Sequence, residues 1–252
     1  MLKYVYEGKS MIIKGPYSIA FKEGAFDVLG INPEKDERIA IPQNKRVAVN
    51  ILKSGKVDVR EDYPKSVTEV NSGTIPVSWE KLADKIIKNN INSLLIIGAC
   101  NSGKTTLTTY IANKLLQNNK SVSLIDSDLG QSDIGPVGTI GMTVMEKKTV
   151  DLSECKVYKM HFVGAFSPSL HIVETLIGLK KLTAAAMMNS DTLIVDTSGL
   201  IDGDCGRLLK QGKIDMLNPD LVVLLQKENE CEHLVKNLHG HRIFRAGLSN
   251  YT

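Results

Sequence analysis

The stretch Leu94-Leu95-Ile96-Ile97-Gly98-Ala99-Cys100-Asn101-Ser102-Gly103-Lys104-Thr105-Thr106-Leu107 decides the fold of this 252-residue chain. The apolar run Leu94–Ile97 reads as a buried strand that ends at Gly98. The spacing Gly98-x-x-x-x-Gly103-Lys104-Thr105 is that of a phosphate-binding P-loop. Glycines let the backbone bend so that successive N–H groups converge on phosphate oxygens, and the helix that follows adds its positive N-terminal end. Lys104 is placed to reach terminal phosphates and the Thr105 hydroxyl to hold Mg²⁺. A plain strand-to-helix turn is the alternative, and the strand signal before the motif and helix signal after it argue against that.

Strand and helix signals alternate from this point on. Lys104–Leu116 reads as a helix, Val122–Ile125 as a strand and 129–150 as irregular. Val157–Val163 is a strand, Ser169–Met188 a long helix, Leu193–Val195 a strand, Gly206–Met216 a helix, Leu221–Leu225 a strand and Glu230–Leu238 a helix. Apolar strands between amphipathic helices imply an α/β domain, residues 93–252, with a mostly parallel sheet covered on both faces. Upstream, residues 1–70 read as short strands at Ser10–Ile13, Tyr17–Phe21, Ala25–Leu29, Arg38–Ile41, Arg46–Asn50 and Lys56–Arg60, broken by turn signals such as Glu23-Gly24 and Ser54-Gly55. That pattern predicts a small β-sandwich or barrel. Residues 71–92 connect the two units; 61–78 is polar and turn-rich, and a helix runs from Ser78, its expected N-cap, to about Asn89.

Composition narrows the class. Hydrophobic residues at 42% and charged residues at 23% fit a soluble globular protein. The net charge of +3 is compatible with a nucleic-acid partner but too small to argue for one. Cys100, Cys155, Cys205 and Cys231 form no CxxC pair, and the N-terminus carries no signal-like apolar segment. A cytoplasmic protein with reduced thiols and no membrane association is therefore expected.

Chemistry-bearing residues cluster after the strands. Asp126 and Asp128 follow the second strand of the α/β unit, where ligands bind in open sheets. There they can hold Mg²⁺ through water or accept a proton from a hydroxyl nucleophile; capping the next segment is the alternative for each. Asp196-Thr197-Ser198-Gly199 stands where an acidic metal-site residue or a phosphate-sensing turn is expected, with a structural turn as the alternative. In Gly164-Ala165-Phe166-Ser167-Pro168, Ser167 reads as an N-cap with Pro168 in the first turn. Arg207, Lys210 and Lys213 recur every three residues and span about a third of the helical circumference. They form either a solvated basic face or a lid whose cations meet a phosphate. His161, His171, His233, His239 and His241 show no metal-ligand spacing.

Together, GACNSGKTT, DSDLGQSDIGPVGTIG, VGAFSPS, DTSGLIDG and RLLKQGKIDMLNPDLVVLLQ resemble, in order, the motifs of the polynucleotide 5′-hydroxyl kinase family, in particular its archaeal RNA kinases. The resemblance covers nearly the whole chain, and its most specific part is the DxDxGQ element. It implies a P-loop NTPase domain behind an all-β N-terminal domain, with ATP and Mg²⁺ as cofactors and RNA, possibly also DNA, with a 5′-hydroxyl end as partner. It further implies that Gly98, Asn101, Ser102, Gly103, Lys104, Thr105 and Thr106 form the nucleotide loop, with Thr105, Asp126 and Asp128 around the metal. Asp128 falls on the acid that activates the 5′-hydroxyl, Gln131 on its partner near metal and acceptor, Ser167 and Pro168 on a clasp for the substrate's first phosphate, and Arg207 on a lid arginine (lid about 200–218). Two departures stand out. Relatives commonly carry Trp where this chain has Leu200, a ring that stacks on the terminal base, and many continue into a further domain beyond the position of Thr252. The rival readings are a nucleotide-bound scaffold of an RNA-processing complex and a dimeric nucleotide switch; Ala99, where the latter class carries a second lysine, argues against it.

Overall fold

The computed structural model describes residues 1–59, 66–236 and 238–251. Its N-terminal strands are β1 (Leu2–Val5), β2 (Ser10–Lys14), β3 (Tyr17–Val28), β4 (Arg38–Ile41), β5 (Arg46–Asp58) and β6 (Val67–Val70). Among the described residues these form one open antiparallel sheet in the order β4-β3-β5-β2-β6, with β1 also on β5, where a sandwich or barrel was expected. Four of the expected short strands merge into β3 and β5. Glu23-Gly24 and Ser54-Gly55 do not turn the chain; they meet across the pair as register shifts between Phe21 and Phe26. Alternation gives the sheet its core, a cluster that includes Ile13, Ile19, Phe21, Val28, Val49 and Val57. Within the polar segment 61–78, residues 67–70 pair with β2 as a strand. The expected extension of the preceding strand to Arg60 lies outside the described residues.

Helix α1 (Val77–Lys88) begins after Pro76, not Ser78. The Ser78 Oγ instead accepts a hydrogen bond from the Gly247 amide at 3.0 Å. The α/β unit then comprises β7 (Ser93–Gly98), α2 (Lys104–Gln117), β8 (Val122–Ser127), β9 (Thr139–Val144), β10 (Lys159–Phe162), α3 (Ile172–Met187), β11 (Thr192–Thr197), α4 (Gly203–Leu217), β12 (Leu221–Leu225), α5 (Glu232–Val235) and β13 (Ile243–Ala246). The strands lie in the order β10-β9-β8-β11-β7-β12-β13. From β8 to β13 all pairings are parallel; β9 and β10 add an antiparallel edge. β7 and β11 are buried throughout, as a sheet covered on both faces requires. β9 lies within a segment expected to be irregular. The long helix expected from Ser169 starts only at Ile172, after a 3₁₀ turn over Pro168–Leu170. Among the described residues no helix is long and apolar enough to cross a membrane.

The two sheets are joined through α2. Asn113, fully buried, donates to the carbonyls of Leu29 and Thr149, both at 2.8 Å, and accepts from the Thr149 amide. Lys114 pairs with Asp27 at 2.5 Å, and Lys45 bridges Asp133 and Asp151, each at 3.1 Å. Trp79 of α1 is also fully buried: its ring centroid lies 5.7 Å from that of Tyr110, and its Nε1–H donates to the Gly247 carbonyl at 2.8 Å. Trp79→Ala therefore removes a large core side chain and orphans a carbonyl. It should cost about 3–5 kcal/mol of stability in urea titration; a loss below about 1 kcal/mol would show that the connector helix is not part of the core.

Candidate phosphate-transfer site

The loop between β7 and α2 has the geometry its sequence implies. Gly103 takes φ +88° at the start of α2 and Asn101 takes φ +56°, the left-handed backbone that glycine and asparagine accept most readily. The loop is closed by the Ser102 amide donating to the Ala99 carbonyl at 3.3 Å. Lys104 is buried and its ammonium bonds that same Ala99 carbonyl at 2.7 Å, so it lies folded over its own loop. Among the described residues the buried Ser102 hydroxyl has no hydrogen-bond partner.

Two acid-bearing turns face this loop. Asp196, buried at the end of β11, accepts from the Thr105 hydroxyl at 2.7 Å and from the Thr197 amide at 2.8 Å. Asp126, at the same level on the adjacent strand, accepts amide hydrogens from Asp128, Asp133 and Ile134 and the Ser132 hydroxyl. Both its oxygens thus organise the following turn, which is the capping role held open for it above. Burial pushes both carboxyls up; the charge of Asp196 adds to the effect at Asp126, while at Asp196 the Thr105 bond and the Lys104 charge oppose it. Asp128 is half-buried. Its Oδ1 accepts from the amides of Gly130 and Gln131, and among the described residues no hydrogen bond occupies Oδ2.

Asn101, Gly103, Lys104, Thr105, Thr106, Asp128, Gln131, Asp133, Asp196 and Thr197 line one cavity of about 180 Å³. From the candidate site residues the structure thus brings together Asn101, Gly103, Lys104, Thr105, Thr106, Asp128 and Gln131, and it adds Asp133, which no local signal marked. Gly98 and Ser102 shape the loop from behind: a Cβ at position 98 would lie 2.7 Å from both the Leu225 carbonyl oxygen and Ser102 Oγ. Beside Thr105 and Thr106 opens a larger cavity of about 500 Å³, shared between the sheets and reached by Lys45, Arg46, Thr109 and Trp79.

Other expected residues stand outside the small cavity. Ser167 caps the 3₁₀ turn with Pro168 in its first position, as expected, and Phe166 and Leu170 beside them are exposed. Leu200 is half-buried. Arg207 points to solvent and pairs with Asp204 at 3.1 Å within its own helix. Lys210 and Lys213 do not continue a solvated face: both are fully buried. Three-residue steps turn a helix by about 300°, so the trio sweeps roughly 120°, enough to pass from solvent into the core.

A family described as mRNA cleavage and polyadenylation factor CLP1 P-loop matches residues 98–250. A Methanocaldococcus jannaschii protein named polyribonucleotide 5′-hydroxyl-kinase is 41% identical over 143 residues, covering 57% of this chain and 39% of its own length. A Pyrococcus furiosus protein of the same name is 34% identical over 180 residues, covering 69% of this chain and 51% of its own. The chain thus spans about two fifths to half the length of these relatives. Its fold matches a chain of the wild-type Clp1p–Pcf11p complex with TM-score 0.77 over 99% of this chain and 67% of that one, at 14% identity.

Gly199 carries the contact between the β11 turn and the P-loop. A Cβ there would lie 2.3 Å from Cys100 Sγ and 2.5 Å from the Cys100 amide nitrogen. Gly199→Ala must push the P-loop backbone aside, so nucleotide affinity should fall by about ten-fold or more with little change in far-UV circular dichroism. Titration with a fluorescent ATP analogue measures it, and unchanged affinity would mean that the loop does not depend on this packing.

Proposed function

The chain belongs to the CLP1 P-loop family, and from that premise we propose that it transfers the γ-phosphate of ATP to the 5′-hydroxyl end of RNA. The observation that carries the reading is a single cavity in which Lys104 and Thr105 of the P-loop face Asp128, a carboxylate with one oxygen left open among the described residues. A P-loop with an acid opposite it is suited to phosphoryl transfer, in which positioning and charge stabilisation do most of the work. The relatives' name supports RNA as the acceptor class.

In this reading the phosphates lie against the loop amides and Lys104 exchanges the Ala99 carbonyl for phosphate oxygens. Base and ribose occupy the larger cavity beyond Thr105 and Thr106, whose size suits a nucleoside. The hydroxyl–carboxylate pair Thr105–Asp196, with Asp128 across the cavity, fits Mg²⁺. Among the described residues no three His, Cys, Asp or Glu side chains are grouped to hold a metal alone, which suits an ion that takes phosphate oxygens as its remaining ligands. When bound, Mg²⁺ neutralises charge on the phosphates. Asp126, its oxygens already engaged, supports this set from behind. Asp128 Oδ2 accepts the hydroxyl proton, and Gln131 lies beside it to orient the acceptor. Ser167 and Pro168 form the clasp on the substrate's first phosphate, Leu200 replaces the stacking ring, and Arg207 is the lid cation. A nucleotide-bound scaffold without turnover is the second reading, favoured by the position of Arg207 outside the cavity.

The deciding experiment incubates the protein with γ-labelled ATP and 5′-hydroxyl RNA and DNA oligonucleotides. Label at the RNA 5′ end supports the kinase; bound but unconsumed ATP supports the scaffold. Lys104→Ala should abolish transfer. Asp128→Asn should lower kcat by about 10²–10⁴ while ATP affinity stays within several-fold. Loss of ATP binding in Asp128→Asn would instead make Asp128 part of the nucleotide site.

A further inference from the structure

Two lysines of α4 occupy places where lysine is costly. Lys210 and Lys213 are fully buried, and among the described residues neither forms an ion pair. Lys213 donates to the carbonyl and hydroxyl of Ser127, at 3.1 and 2.7 Å. Lys210 donates to the Ser198 carbonyl, to Ser198 Oγ at 3.3 Å and to Thr197 Oγ1 at 3.1 Å. Burying an ammonium against neutral oxygens costs several kcal/mol, and apolar residues of similar volume commonly stabilise a fold better. Fold stability alone does not account for two such residues one turn apart.

Their acceptors do. Ser127 directly precedes Asp128, and its hydroxyl passes the contact on to the Asp196 carbonyl at 2.6 Å. Thr197 directly follows Asp196, and its hydroxyl donates to the Ile96 carbonyl of β7 at 2.8 Å. Two short chains, Lys213–Ser127–Asp196 and Lys210–Thr197–Ile96, therefore link the ends of β8, β11 and β7. Those are the strands whose loops carry Asp128, Asp196 and the P-loop. We propose that Lys210 and Lys213 are positioning residues for phosphoryl transfer, fastening α4 to the turns that hold Asp128 and Asp196. The catalytic consequence rests on the kinase reading above; the fastening does not. Burial holds both ammoniums below the usual lysine range, Lys213 at about 8, and at Lys210 the charges of Lys213 and Lys104 add to it; the carboxylates of Asp128 and Asp196 oppose the shift at both lysines, joined by Asp126 at Lys213.

The test compares Lys213→Met with wild type. The variant removes a buried ammonium but orphans the Ser127 carbonyl, two opposed effects, so it should stay folded and melt within about 5 °C of wild type and bind ATP within about three-fold, while kcat on 5′-hydroxyl RNA falls by about 10- to 100-fold. Hydrogen exchange should quicken at amides 128–131 and 197–199. Ser127→Ala breaks the same chain without touching a charge and should show the same pattern more weakly. In the double variant the losses should not add, because both remove one link. Unchanged kcat together with unchanged exchange in Lys213→Met overturns the proposal. If that variant does not fold, the same result in Ser127→Ala overturns it. Should the wild-type protein phosphorylate no oligonucleotide, the kinase reading fails by itself and exchange alone decides the fastening: faster exchange at the two turns upholds it, and unaltered exchange refutes it.

Discussion

The parallel register of β8 and β11 sets Asp126 beside Asp196 and Ser127 beside Thr197, and the site follows from that alignment. Two buried carboxyls on neighbouring strand ends repel each other and lack water, so each needs donors from the protein. Asp126 finds three amides in the turn it precedes, which is why that turn doubles back tightly enough to present Asp128 to the cavity. Asp196 finds the Thr105 hydroxyl, which ties the P-loop helix to the neighbouring strand. A slip of one residue in either strand would send its acid to the other face of the sheet and part the pair.

The N-terminal sheet completes the site from the side. The Lys45–Asp133 pair contributes little to the docking: Lys45 is more than a third exposed, and pairs of that kind are worth about 1 kcal/mol or less after screening. Two contacts from adjacent residues of α2 set the fit, the largely buried Lys114–Asp27 pair and Asn113. Fully buried, Asn113 answers the Leu29 carbonyl in the turn after β3 and a carbonyl and amide of the 149 segment, and an apolar replacement would remove its bonds to all three. Residues of both units line the larger cavity, Lys45 and Arg46 from one and Thr105 and Thr106 from the other.

The parts of this architecture written locally were legible. Strand, glycine loop and helix from Leu94 to Leu107 announce themselves because each residue's role depends on its near neighbours. What escaped depends on distant partners. Glu23-Gly24 and Ser54-Gly55 look like turns until they are laid side by side, where each becomes the other's bulge. β9, with Gly141 in its middle, is a strand because β8 and β10 pair with it. Ser78 looks like a cap but answers an amide at Gly247. The helix expected over Glu230–Leu238 is reduced to Glu232–Val235, with Asn237 outside the described residues.

Lys210 and Lys213 show how polarity misleads while periodicity does not. Gly206, Leu209, Lys210, Lys213, Ile214 and Leu217 are the buried residues of α4, spaced as an amphipathic helix spaces its inner face. Neither a solvated face nor a lid places both on this stripe; the carbonyl and hydroxyl oxygens at Ser127, Thr197 and Ser198, on other elements, make the placement tenable. The two buried ammoniums bond the middle of α4 to the end of β8 and the turn after β11, while the helix starts at Gly203, with φ +67°, on an exposed turn. Arg207 is the cation of that end, and its ion pair among the described residues, with Asp204, is exposed and lies within the same turn. The same helix thus presents an exposed cation near its start and buries two lysines further along.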